Sequence, residues 1–360
     1  MDGQIPFVTF YSFKGGVGRS MALANAGWNL AHTGSRVLML DLDLEAPGIS
    51  YLPGKDGKEE HEETPGFVDL FYRHLEKPEG SALSAKPGDE WERIAEFCRQ
   101  IPVPQRESRP KTKNTPEGSL TLMPAGKLDA GYEQRLKEID LGTLYKRNIG
   151  LPLLKQLREH IQASEEFDYV LIDSRTGFSD EAMICLRDLG DRLILFSGLN
   201  KQNIDGTARL LKLLQGWKRK PIVSYVVSPV PLGEDDLKRQ RLDHMTRTFT
   251  ENWGSPPKRI TLIPYHPRLA LDEKPYIHQF PESELASAWE KTHHSPAGAL
   301  LGVDCDQQGG FRDALRGPCD DLKRVLGDAR SGLVHGRAGG RCRARQIPPC
   351  PVVATRRLGI

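Results

Sequence analysis

The residues with the plainest chemical capacity are Lys14-Gly15-Gly16-Val17-Gly18-Arg19-Ser20. The glycines let the backbone curl so that successive N–H groups point at one spot, which makes an anion nest. Lys14 and Arg19 bring two cations to the same stretch, and Ser20 brings a hydroxyl of the kind that ligates magnesium in phosphate-binding loops. A helix starting near Ser20 adds its unsatisfied N–H groups and the positive end of its dipole. Such a loop holds a phosphate chain together with a divalent cation.

Two positions depart from the standard pattern G-x-x-x-x-G-K-[ST]: Phe13 stands for the first glycine and Arg19 for the loop lysine. A guanidinium is always charged and forks onto two phosphate oxygens, so binding is expected to survive. It is also wider than an ammonium, so hydrolysis is expected to be slow.

Positioning this loop requires a strand before it and a helix after it. Phe7–Ser12 is a β-branched and aromatic run, read as a buried strand, and Met21–His32 reads as a helix closed by Gly34. Arg36–Leu40 is a second apolar strand, which completes a right-handed βαβ unit. Further strands are expected at Leu120–Met123, Tyr169–Ile172, Leu193–Phe196, Ile222–Val227 and Ile260–Ile263. Helices are expected at Leu151–Ile161, Asp180–Leu189, Ile204–Leu214 and Asp235–Thr250. The alternation predicts an α/β fold, a doubly wound and mostly parallel sheet flanked by helices, as one main domain over residues 1–295. Gly54–Gly118, rich in Lys, Glu, Pro and Gly, reads as a charged insertion with helices at Gly66–Leu75 and Asp89–Gln100.

At this point the chain resembles the MinD/ParA group of deviant Walker A P-loop ATPases, in its KGGVGR-bearing branch. Lys14–Ser20 is similar to the group's KGGxGK[ST] signature, with arginine for the second lysine. Asp41-Leu-Asp43-Leu-Glu-Ala-Pro47-Gly48 resembles its switch I motif, and Tyr169-Val-Leu-Ile-Asp173-Ser-Arg-Thr-Gly177 its Walker B strand and switch II turn. Thr64–Leu70 resembles the G-h-x-D-L stretch, and Leu262–Pro267 the segment bordering the adenine pocket.

The resemblance implies roles. Gly15, Gly16, Val17, Gly18, Arg19 and Ser20 hold the phosphates of ATP, and Ser20, Asp41 and Asp173 hold magnesium. Lys14 reaches across a dimer to the partner's nucleotide, and Asp43 positions or deprotonates the attacking water. Pro264 and Tyr265 help to wall the base. Each aspartate also has a plainer reading, as a strand-end residue capping a turn. The implied function is an ATP-driven switch that forms a homodimer in ATP and recruits an unidentified protein partner. A metabolic ligase or reductase-like enzyme of the same fold is the alternative, as is a regulatory ATPase of a bacterial signalling or defence gene set. The cysteines, at 98, 185, 305, 319, 342 and 350, form no C-x-x-C pair, which counts against the reductase.

Charge is uneven along the chain. Residues 331–360 hold six arginines and no acid; removing that charge from the net +2 leaves −4 for residues 1–330. The body therefore offers no broad nucleic-acid surface. Residues 296–360 are expected to be a poorly defined basic tail. Its arginines, from Arg337 to Arg357, offer nucleic acid or an anionic membrane a contact, although they lack interleaved aromatics and an amphipathic helical period. Met1–Pro6 runs into the first strand without a basic and then apolar leader, so a cytoplasmic protein is expected.

Overall fold

The computed structural model describes residues 4–53, 61–77, 91–103, 118–140, 142 and 150–267. By backbone contacts the chain divides into residues 1–314 and 315–360, and every described residue belongs to the first unit. The expected basic tail lies outside the described residues, as do positions 54–60, 78–90 and 104–117 of the expected insertion.

The first strand, β1 (Phe7–Ser12), is buried along its whole length. It leads through the glycine loop into α1 (Arg19–His32), and Gly34 at φ 94° turns the chain into β2 (Arg36–Leu42). A short 3₁₀ turn at Ile49–Tyr51, α2 (Phe67–Glu76), α3 (Trp91–Ala95), β3 (Arg99–Ile101) and β4 (Ser119–Met123) follow. After them come α4 (Tyr132–Ile139), α5 (Gly150–Ser164), β5 (Tyr169–Ser174), α6 (Asp180–Ile184) and β6 (Arg192–Ser197). The series closes with α7 (Lys201–Gln215), β7 (Ile222–Val230), α8 (Asp235–Trp253) and β8 (Ile260–Pro264).

The strands form one eight-stranded sheet in the order β3-β4-β2-β5-β1-β6-β7-β8. Every pairing is parallel except that of β3 with β4. Alternate residues feed opposite layers, as a sheet covered on both faces requires. Leu38, Leu40, Val170 and Ile172 pack with α2 and α5, whereas Val37, Met39 and Leu171 pack with α1. β1 lies between β5 and β6, so the chain switches direction across it. In doubly wound sheets ligands bind in the crevice at the carboxyl end of such a strand. The glycine loop leaves β1 there.

Several elements differ from the sequence expectation. Of the helix expected at Asp89–Gln100, the described residues form α3 over Trp91–Ala95 and stop short of Gln100, because Arg99 and Gln100 belong to β3. The buried Arg99 Nη2 donates to the carbonyls of Ser50 (2.9 Å) and Leu52, which fastens this edge strand to the loop after β2. The region read as a charged insertion thus supplies core as well: Phe67, Val68, Leu70 and Phe71 of α2 are all buried. Asp69 anchors that helix by accepting from its own cap, Gly66 N (2.9 Å), and from Lys127 N (2.6 Å). The helix expected over Asp180–Leu189 breaks after Ile184 into a π turn, Cys185–Leu189, closed by Gly190 N donating to Cys185 O at 2.9 Å. The sequence reading has no counterpart for α4.

One helical glycine has a steric reason. Gly206 lies inside α7, where glycine costs about 1 kcal/mol relative to alanine. A Cβ there would fall 1.9 Å from Phe13 Cδ1.

Candidate functional site

The glycine loop has the shape its composition implies. Gly16 and Gly18 sit at φ 76° and 72°, a region closed to most side chains. Gly18 is the N-cap of α1 and has no side chain to satisfy the first N–H groups, so those donors remain for a ligand. A cavity of about 470 Å³ lies above them. Its wall is Ser12 and Gly15–Met21, with Asp43, Glu45 and Ala46 of the loop after β2 and Arg175 and Thr176 of the loop after β5 opposite. Gly48 closes on Ser20: a Cβ on Gly48 would stand 3.3 Å from the Ser20 hydroxyl.

Arg19 does not point freely into this space. Its side chain is 6% exposed, with Nε donating to Asp173 Oδ1 at 2.6 Å and Nη2 to Asp43 Oδ2 at 2.7 Å. Burial by itself would lower the guanidinium pKa, but the charges of Asp173 and Asp43 outweigh it and the net shift is upward. The residue that replaces the loop lysine therefore joins three segments: the start of α1, the loop after β2 and the end of β5.

The two remaining carboxylates lie deeper. Asp41 is fully buried, and its Oδ2 accepts from Ser50 N (2.9 Å) and Ser50 Oγ (2.7 Å). Burial and the nearby Asp173 push the Asp41 carboxyl up to about 8. Asp173 is also fully buried, and its Oδ2 has no hydrogen-bond partner among the described residues. Asp41 and Asp173 sit side by side in register across β2 and β5.

Arg175 makes a second link between the loops. Its guanidinium holds Glu45 in a two-pronged ion pair and stands 3.6 Å from Glu181. Sequence reasoning gave neither Arg175 nor Glu45 a role, although both lie inside the motifs it singled out; two oppositely charged residues next to strand-end aspartates were the available signal. Ser50, which ties Asp41 to Ala125 N (2.9 Å), was missed as well.

The expected site residues are thus only partly gathered. Gly15–Ser20 and Asp43 line one cavity, and Asp173 and Asp41 stand behind it. Lys14 is exposed and is not part of the wall. Pro264 and Tyr265 lie at the end of β8, three strands from β1, which at the usual strand spacing is about 14 Å away. A second cavity of about 770 Å³ lies beside the first and shares Glu45. Of the carboxylates on its wall, Glu45 and Glu181 face Arg175, Asp129 pairs with Arg135 and Glu133 with Lys137, and Asp140 completes the set.

Comparison with known proteins bears on the family and the fold. A "Cytosolic Fe-S cluster assembly factor NUBP2 homolog" of Culex quinquefasciatus is 26% identical over 179 residues, covering 49% of this chain and 50% of the relative. The chain spans about half the length of the curated relatives it matches. The complex of an aspartate-to-alanine variant of Cyanothece McdA with ATP has the same fold, with a TM-score of 0.54 at 16% identity over 85% of this chain and 100% of that one. So does the septum site-determining protein MinD of Pyrococcus horikoshii OT3 complexed with Mg-ADP, with a TM-score of 0.52 at 18% identity over 84% and 100%. The model of the CobQ/CobB/MinD/ParA nucleotide binding domain matches residues 8–327, and the chain belongs to that family.

Proposed function

We propose that the chain is a magnesium-dependent ATPase that works as a switch. ATP closes two copies face to face, slow hydrolysis directed by Asp43 releases them, and the closed form recruits a protein partner. The observation that carries this reading is the Arg19 bridge. A triphosphate in the nest brings negative charge to Arg19, and that charge competes with Asp43 and Asp173 for the same guanidinium. Filling the site therefore pulls on both loops at once, and a change in bound phosphate becomes a change in loop position.

The donor set suits a divalent cation. Among the described residues Asp173 has one buried oxygen without a hydrogen-bond partner, and the Ser20 hydroxyl lies next to the loop after β2. Ser20 and Asp173 would hold magnesium, with Asp41 behind them fixing the loop that carries Asp43. When bound, magnesium neutralises charge developing on the phosphate oxygens. Asp43, freed from Arg19, orients the attacking water. The nest N–H groups hold the phosphates, and Arg19 then follows them. Lys14, exposed at the head of the loop, serves the nucleotide of the second copy. That McdA was solved with ATP and MinD with Mg-ADP supports this choice of ligands.

Calorimetry tests the site. Gly18→Val places a β-branched side chain at φ 72°, and Ser20→Ala deletes a metal ligand; both are expected to abolish measurable magnesium-ATP binding while circular dichroism stays unchanged. Unaltered affinity in both variants would sink the assignment.

The curated relatives favour a second reading, in which the chain assembles iron–sulfur clusters as cargo. It fits the residues less well. The sequence has no C-x-x-C pair, and burial pushes the thiol of Cys185 up to about 12, far from a thiolate at neutral pH. Anaerobic incubation with iron and sulfide, followed by absorbance, separates the two; a stable cluster chromophore would favour the cargo reading.

A further inference from the structure

Phe13, the residue standing for the first glycine of the loop pattern, lies in a seat. Its ring rests on the bare backbone of Gly206, where a Cβ would come within 1.9 Å of Cδ1 and 2.2 Å of Cε1. Phe178 also meets it edge-on, the ring centroids 5.6 Å apart at 66°. Phe178 follows Gly177, whose carbonyl accepts from Tyr11 Oη at 2.9 Å. The residue just before Lys14 therefore contacts both helix α7 and the loop after β5.

Lys14 itself is exposed and stays off the cavity wall, although every residue from Gly15 to Met21 belongs to it. The space beside the next two residues is open: outside its chain neighbours, a Cβ on Gly15 or Gly16 would meet no heavy atom within 4 Å. A lysine is a compact charge on a flexible stem, and a bound triphosphate would draw it in. The backbone from which that stem starts is set by the contacts of Phe13.

We infer that Phe13, seated on Gly206, is a positioning residue that turns Lys14 out of its own phosphate cavity and offers its ammonium to the triphosphate of a second copy. This rests on the switch reading above and adds the device that separates action on the neighbour from action on the self. It also gives the mid-helix glycine its reason, since any side chain at 206 would evict the ring.

The experiment uses the full chain with magnesium and the non-hydrolysable analogue AMPPNP, and compares the parent with Phe13→Ala, Gly206→Ala, their double variant, Phe13→Leu and Lys14→Ala. Light scattering reads dimerisation, calorimetry on dilute protein reads nucleotide affinity, and mass spectrometry reads how fast an amine reagent labels Lys14. Phe13→Ala and Gly206→Ala should each weaken the dimer about tenfold or more, as losing a positioned charge-assisted contact would. Nucleotide affinity should fall much less, and Lys14 of the loaded protein should label more slowly. The double variant should be no worse than either single one, because both remove the same seat. Phe13→Leu, which keeps bulk on Gly206, should restore part of the dimer. Parent-like dimerisation and labelling in Phe13→Ala would overturn the inference, and so would additive effects of the two single changes. Lys14→Ala separates the layers: if it dimerises like the parent, the trans role of Lys14 fails, whatever Phe13 does. If the parent itself stays monomeric the switch reading fails, and the labelling rate still decides whether Phe13 directs Lys14.

Discussion

The loop after β1 and the loops after β2 and β5 face the same cavity, yet different forces shape them. The first takes its form from backbone conformation, with Gly16 and Gly18 at positive φ and Gly18 heading α1. The other two are held by charge: Arg19 grips Asp43 and Asp173, and Arg175 grips Glu45 with Glu181 nearby. A shape written into glycines persists whether or not a ligand is present. A shape written into ion pairs can be exchanged for pairs with phosphate and metal. The nest is thus the fixed part of the site, and the loops around it are the part able to report what the nest holds.

The largest expected effect comes from removing the charge aimed at water. Asp43→Ala should lower hydrolysis by about 10²–10⁴, the range for a positioned general base. ATP affinity should be kept or improved, since the variant also frees Arg19 from one competitor. The protein should then accumulate as an ATP-bound dimer in size-exclusion chromatography with light scattering. Hydrolysis within a few-fold of the parent would remove Asp43 from the mechanism.

The next effect falls on stability. Arg19→Ala leaves Asp173 buried beside Asp41 with no cation, and removing one partner of a buried pair typically costs about 3–5 kcal/mol. Urea denaturation should show that loss, and millimolar magnesium should recover part of it by binding the folded state alone. Arg19→Lys keeps the charge but cannot fork to two carboxylates, so it should lose less and hydrolyse faster than the parent. A variant as stable as the parent without magnesium would mean the bridge contributes nothing to holding the loops.

The same contrast explains what the sequence disclosed. The nest was legible because its requirement for positive φ and its residue types coincide within seven adjacent positions. Asp41 and Asp173 were legible as acids that end apolar runs, and those runs became β2 and β5. The Arg19 bridge was not, because it joins residues 24 and 154 positions apart, and residue type alone does not say which carboxylate a guanidinium will meet. The edge strand β3 escaped for a related reason. Three residues beginning with a buried arginine carry no apolar alternation, and what holds them is a pair of carbonyls after β2. Helix α4 was hidden by its charge: of Tyr132–Ile139 only Ile139 is fully buried. The seat of Phe13 on Gly206 was equally hidden, since each residue looks like a lapse from its local pattern until the two are seen together.

The smallest expected change tests the contrast most finely. Arg175 and Glu45 are both partly open to water, at 28% and 58% exposure, so their pair is worth about 0–1 kcal/mol. Arg175→Ala should shift the melting temperature by only a few degrees, which thermodynamic scaling associates with roughly 1 kcal/mol in a domain of this size. Its consequence should be local. Without the guanidinium the loop Asp43–Gly48 loses its tie to the loop after β5, and its amides should exchange with deuterium several-fold faster in the nucleotide-free protein. Amides of Gly15–Ser20 should not change, because glycine conformation and helix α1 hold that loop rather than charge. Adding magnesium-ATP should bring parent and variant together, since ligand contacts then replace the missing pair. Equal exchange of Asp43–Gly48 in the two nucleotide-free proteins would show that the latch does not hold the loop. Faster exchange spreading into Gly15–Ser20 would show that the nest, too, depends on charge.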